Sequence, residues 1–279
     1  MKEICLNDLG YPLSYIKMFS KSIQIYRGSF FNYFILSLLI YLPFLLIEQL
    51  GKIEFVFLIE IFHGNFLDIL VFLTLPTLII HKKVFPLGTI QIFLQRFLAS
   101  AVTITFIQLA FNFLGIIGFI PYLFILFAGF FLVIENSSKI INVKSCMIQS
   151  VQLMRNFFFA VTWNFILITI LVNLPVSLFA IWYFSDHQGL WEVLSSLESV
   201  QKDNTVSFQQ LFEASVRLTR EPGFMFGRIL LHIVFRPIKS IFMASVFISL
   251  MHHLYPERIN NYLLIKSQQS SPESSGDGL

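Results

Sequence analysis

The sequence predicts an all-α integral membrane protein: six transmembrane helices arranged as three hairpins, each entered through an amphipathic cytoplasmic lead-in helix. Three observations carry this. The 38 residues from Phe97 to Ile134 contain no Asp, Glu, Lys, Arg or His. A bilayer core of about 30 Å takes about 20 helical residues. The run therefore holds two crossings, with Gly115, Gly118 and Pro121 near its middle as turn chemistry. The chain is 56% hydrophobic and 13% charged, with a mean hydropathy of +0.75, where soluble domains carry about 25% charged residues. Finally, Lys and Arg gather at the borders of the apolar runs, as topology signals do.

The elements follow in order. Residues 1–12 are a polar leader without the short apolar core and small-residue cleavage site of a signal peptide. Residues 13–266 form a single helical membrane domain. Its first lead-in, Leu13 to Arg27, has Ile16, Phe19, Ile23 and Tyr26 at helical spacing, with Lys17, Lys21 and Gln24 on another face. That pattern suits a helix lying among headgroups. The first span is predicted at 28–47. Glu48, Lys52, Glu54, Glu60 and His63 mark the next border, and the second span is predicted at 64–81. Asp68 is expected at the outer lipid boundary, where water reaches it. The apolar stretch Phe55 to Phe62 either extends that span or lies along the interface.

A second lead-in, Leu87 to Arg96, precedes spans three and four at 97–115 and 119–134. In the third lead-in, Glu135 to Arg155, the apolar face is Ile140, Val143, Met147, Val151 and Met154. Asn142, Ser145, Gln149 and Gln152 oppose it. Span five, 156–183, lies in an uncharged run that ends before Asp186. Residues 186–228 alone have soluble composition and are expected outside, and span six is predicted at 237–254. Residues 267–279 read as a disordered tail.

Charge sets the orientation. The segments expected inside carry 12 Lys and Arg, and the two short outer loops carry one. Both termini are therefore expected in the cytoplasm. The net charge of +3 is small and dispersed, so no nucleic-acid partner is expected. Cys5 and Cys146 are isolated and fall on the cytoplasmic side, which argues against a disulfide.

Two segments resemble each other: SIQIYRGSFF at Ser22–Phe31 aligns without gaps on SVQLMRNFFF at Ser150–Phe159. TIQIFLQRF at Thr89–Phe97 is a looser third copy. Each lead-in starts on the same side, so the repeats run parallel about an axis along the membrane normal.

Candidate sites are few. Lys17, Lys21, Arg27, Arg96, Lys144 and Arg155 recur across the lead-ins and point to anionic lipid headgroups, about 1 kcal/mol each near the surface. Arg228, His232, Arg236 and Lys239 around the start of span six either snorkel to headgroups or line an outer polar vestibule. His252 and His253 are adjacent, so they point about 100° apart on a helix and do not pair on one ion as an i, i+4 set would. No HExxH, GxSxG or phosphate-loop motif occurs. No catalytic residue, metal ligand or cofactor is assigned, and no enzymatic activity is expected.

SIQIYRGSFFNYF near the start, GIIGFIPYLFILFAGFFLVIE in the middle, the lead-in Ser150–Phe157 and the last span from FRP to HHLYPERI carry a family resemblance. The chain resembles the YciC-like bacterial inner-membrane proteins and the membrane domain attached to some glycerophosphodiester phosphodiesterases. It differs in having no attached phosphodiesterase domain and a more elaborate 186–228 segment. The resemblance implies a helical bundle in the bacterial inner membrane. Two functional classes stay open. One is an envelope-organising protein that meets lipids and a protein partner at 186–228. The other is a small transporter with a solute path between the hairpins.

Overall fold

The computed structural model describes residues 15–50, 54–81, 86–135, 142–185, 222–259 and 261. The leader, the tail and most of the 186–228 segment lie outside the described residues. Every described element is helical. In order they are α1 (Tyr15–Gly28), α2 (Phe30–Leu50), α3 (Glu54–His81), α4 (Pro86–Ile92), a π turn (Phe93–Phe97), α5 (Leu98–Phe113), α6 (Ile116–Phe124), α7 (Ala128–Glu135), α8 (Val143–Ser185) and α9 (Pro222–Leu254). Among the described residues, four helical stretches are long and apolar enough to cross a bilayer: Leu87–Asn112, Ile117–Glu135, Val143–Tyr183 and Gly223–Leu254. A fifth is reached if the bent pair Tyr15–Gly28 and Phe30–Pro43 is one span. In its described residues the chain is all-helical and of membrane type.

The residues divide into two compact units, Met1–Ile166 with Pro237–Leu279, and Leu167–Arg236. In the first unit α2 packs on α3, and α3 in turn packs on α5 and α7. The C-terminal part of α9 is core on every side: each residue from Ile241 to Met251 is buried. A helix apolar all round belongs inside, and Ala244, Ser245 and Ser249 let neighbours approach closely. Phe247 meets the rings of Phe72, Phe127, Phe130 and Phe131 at 5.0–5.4 Å between centroids. The second unit packs through aromatic rings. Phe224 stacks on Phe179 at 5.7 Å and 4°, and Gly223 and Gly227 abut the rings of Tyr183 and Phe179, where a Cβ would collide.

The repeat reappears as geometry. In α1 the buried residues are Met18, Ser22, Ile25 and Tyr26. In the aligned part of α8 they are Cys146, Ser150, Leu153 and Met154, the same four positions displaced by 128 residues. The breaks correspond too. The chain turns by 86° between α1 and α2, at Ser29, and α8 is kinked at Phe157 (φ −128°, ψ 20°), again 128 residues on. In the looser copy the break falls at Phe97 (φ −113°, ψ −18°), one residue later than an ungapped alignment puts it. The π turn just before it absorbs that extra residue.

The buried face of α1 shares Tyr26 with the apolar set Ile16, Phe19, Ile23 and Tyr26, while Ile16 is 76% exposed. A helix lying on a bundle in lipid has two apolar sides, one for protein and one for lipid. In α8 the apolar set is divided likewise, with Met154 buried and Val151 exposed. α3 begins at Glu54, so Phe55 to Phe62 extends the helix and Asp68 stands 14 residues from its start and 13 from its end. His63, expected at a border, is fully buried against Ser37 and Tyr41 of α2.

The turn between α5 and α6 is where the sequence places it. Gly115 takes φ 60° and ψ −132°, a region closed to residues with a Cβ. Gly118 lies so close to the Phe111 carbonyl that a Cβ would fall on it, which lets α6 fold back tightly on α5. Pro121 lies inside α6 instead of in the turn, and the second arm breaks further on, between Phe124 and Ala128.

Candidate functional site

Of the six predicted headgroup residues, Lys17, Arg27, Arg96, Lys144 and Arg155 are exposed and Lys21 is half-buried. Their placement is regular. Arg27, Arg96 and Arg155 each stand one or two residues before a break, at Ser29, Phe97 and Phe157. Just beyond two of the breaks, Phe31 and Phe159 are 76% and 86% exposed. Two of the three joints thus pair a cation with an apolar anchor, the chemistry of a membrane–water boundary.

The second predicted set is divided between the two units. Arg228, His232 and Arg236 belong to the second unit and Lys239 to the first. A spacing of four puts Arg228, His232 and Arg236 along one face of α9. His232 is buried and the three cations are half-buried. Lys239 Nζ lies 4.4 Å from the centre of the Phe165 ring, a cation–π contact. His252 and His253 end α9 exposed, as does Glu257 beyond them.

Sequence reasoning missed two polar constellations. The first is a pocket in the first unit, lined by Asn65, Asp68 and Ile69 of α3, by Thr105 and Gln108 of α5, and by Leu126 and Gly129 at the broken second arm. Its free space is about that of one water molecule. Asn65 Nδ2 donates to Thr105 Oγ1 at 3.3 Å and to Gln108 Oε1. Thr105 Oγ1 donates to the Ala101 carbonyl at 2.7 Å, and Gln108 Nε2 to the Ile125 carbonyl at 3.2 Å. The signal was there: Asn65 and Asp68, and Thr105 and Gln108, are polar pairs at i, i+3 inside apolar helices.

The break at Phe124–Ala128 frees backbone groups that lipid cannot satisfy, and side chains from two helices take them up. Besides Gln108, Ser150 Oγ donates to the Phe124 carbonyl at 2.8 Å and accepts from the Phe127 N–H at 3.1 Å.

The second constellation gathers on Glu135 at the end of α7. Its carboxylate accepts from Ser145 Oγ at 3.1 Å, Cys146 Sγ at 3.3 Å and Gln149 Nε2. Arg258, beyond α9, completes the set with an ion pair at 3.4 Å. Asn142 Oδ1 accepts from the Ser145 N–H at 3.3 Å and caps α8. One carboxylate therefore joins the end of α7, the start of α8 and the turn after α9. No known family, curated protein or solved structure matches the chain, and the resemblance to the YciC-like proteins gains no support from them.

Proposed function

We propose that this is a multi-pass protein of the bacterial inner membrane, six spans in three hairpins with both termini cytoplasmic, that organises the envelope through lipid and protein contacts and catalyses nothing. The aromatic packing around Phe247 carries this reading. The middle of the first unit is filled by rings, as suits a fixed scaffold more than a moving solute path. The Arg–Phe joints supply the grip on anionic lipid, and residues 186–228 are the proposed meeting point for a protein partner.

Single-cysteine accessibility tests the topology. Lys52 and Ser207 should label from the outside, and Lys83 and Lys144 from the cytoplasm; Lys52 and Lys83 labelling from one side would refute the hairpin scheme. Replacing 186–228 by a Gly/Ser linker of equal length tests the role. The native protein should migrate in a large complex after mild solubilisation, and the linker variant should insert normally yet lose it.

One observation favours a second reading, a small permease. Transporter sites place polar groups beside broken helices near the bilayer midplane, and the Asn65–Asp68–Thr105–Gln108 pocket sits against such a break. Solute flux into proteoliposomes that stops with Asp68→Asn would decide for it.

A further inference from the structure

We propose that the exposed face of α8 around Asn173 and Ser177 is where two copies of this chain pair within the membrane. Asn173 lies near the middle of the uncharged run from Asn156 to Ser185, and Ser177 follows one turn later on the same face. Both are exposed. Asn112 and Asn164 behave differently: each returns its Nδ2 to the carbonyl four residues back in its own helix, at 3.0 and 2.9 Å. Among the described residues the side chains of Asn173 and Ser177 have no such bond. Pro175, between them, has no N–H, so the Leu171 carbonyl lacks its helical donor at the same depth. Lipid tails satisfy none of these groups. Ile170, Leu174 and Ile181 beside them are exposed as well, while another side of α8 is already taken, with Phe179 and Tyr183 each 5.7 Å from the Phe224 ring of α9.

The chemistry of the face selects its occupant. The longer stretches outside the described residues, 1–14, 186–221 and 262–279, each carry acidic and basic residues, which are expensive at this depth. A second copy, inserted the same way up, brings the same groups to the same level. A two-fold axis along the membrane normal then sets Asn173 against Asn173. A carboxamide both donates and accepts, so two identical ones satisfy each other. The small Ser177 lets the two backbones approach closely.

The inference goes beyond both functional readings: pairing is read on the purified chain, without a transport assay or a partner at 186–228, so either can fail alone. Cross-linking in native membrane vesicles tests the face. Oxidised with copper phenanthroline, Leu174→Cys and Ser177→Cys chains should form disulfide-linked dimers. Val172→Cys, at a position buried on another side of α8, should not, and the native chain with Cys5 and Cys146 sets the background. Single-molecule photobleaching of the purified full chain, diluted stepwise into liposomes, measures the strength. Asn173→Ala should raise the dissociation constant of the dimer about tenfold. Asn173→Gln, which keeps the amide, should recover most of that loss. Should Asn173→Ala fail to fold, the cross-linking pattern and the native dilution series still decide. Monomers at every density overturn the proposal, as do equal cross-linking at Val172→Cys and a dimer unchanged by Asn173→Ala. Leu174→Cys cross-linked only to a different protein also overturns it and gives the face to a foreign helix.

Discussion

Phe247→Ala should destabilise the protein by about 3–5 kcal/mol, the range of large aromatic truncations in packed interiors. The side chain is fully buried and touches rings from α3, from the break before α7 and from α7 itself. Lipid tails are as apolar as the core, so the loss is one of packing contacts and not of transfer from water. Phe247→Leu keeps most of the volume and should cost less than half as much. Titration of the purified protein with SDS from mild micelles, followed by circular dichroism, measures both. Equal stability of wild type and Phe247→Ala would show that these rings do not hold the bundle together.

Ser150→Ala should be the second large effect, about 2–4 kcal/mol, because it orphans a buried donor and a buried acceptor together. The Phe127 N–H and the Phe124 carbonyl both lose the Ser150 hydroxyl. Its repeat counterpart supplies the control. Ser22 is equally buried, but its hydroxyl only adds a 2.8 Å bond to the Met18 carbonyl within its own helix. Ser22→Ala should therefore cost under about 1 kcal/mol. The same SDS titration compares them, and similar losses would mean that the broken arm does not depend on Ser150.

The contrast between the two serines shows what could be read from the chain. The alignment of Ser22–Phe31 on Ser150–Phe159 was visible in the letters, and buried positions and breaks now follow it at a constant offset. The Gly115 turn was equally legible, because a glycine inside a long uncharged run has few other uses. Faces were not. Periodicity locates an apolar side but cannot tell lipid from protein when both are apolar, so one apolar set holds exposed Ile16 beside buried Tyr26, and another exposed Val151 beside buried Met154. The length of α3 was not legible either: Glu54 and Glu60, read as a border, lie within the helix. The pocket needed α3 and α5 side by side, and Glu135 needed Arg258, 123 residues away. No local pattern carries such pairings.

The burial of α9 has a consequence for how the chain is made. Synthesis runs from the N-terminus, so α1 to α7 enter the membrane before the helix that fills their middle exists. Until Ile241 to Met251 arrive, the rings of Phe72, Phe127 and Phe131 have no Phe247 to close on. Arg258 emerges later still, and with it the bond that ties the last turn to Glu135. Before Phe247 is in place, the earlier helices of the first unit lack the ring that their own rings close on. Closure of this packing waits for Ile241 to Met251, and an insertase that keeps the earlier helices loosely associated would serve it better than one that releases each pair as it forms.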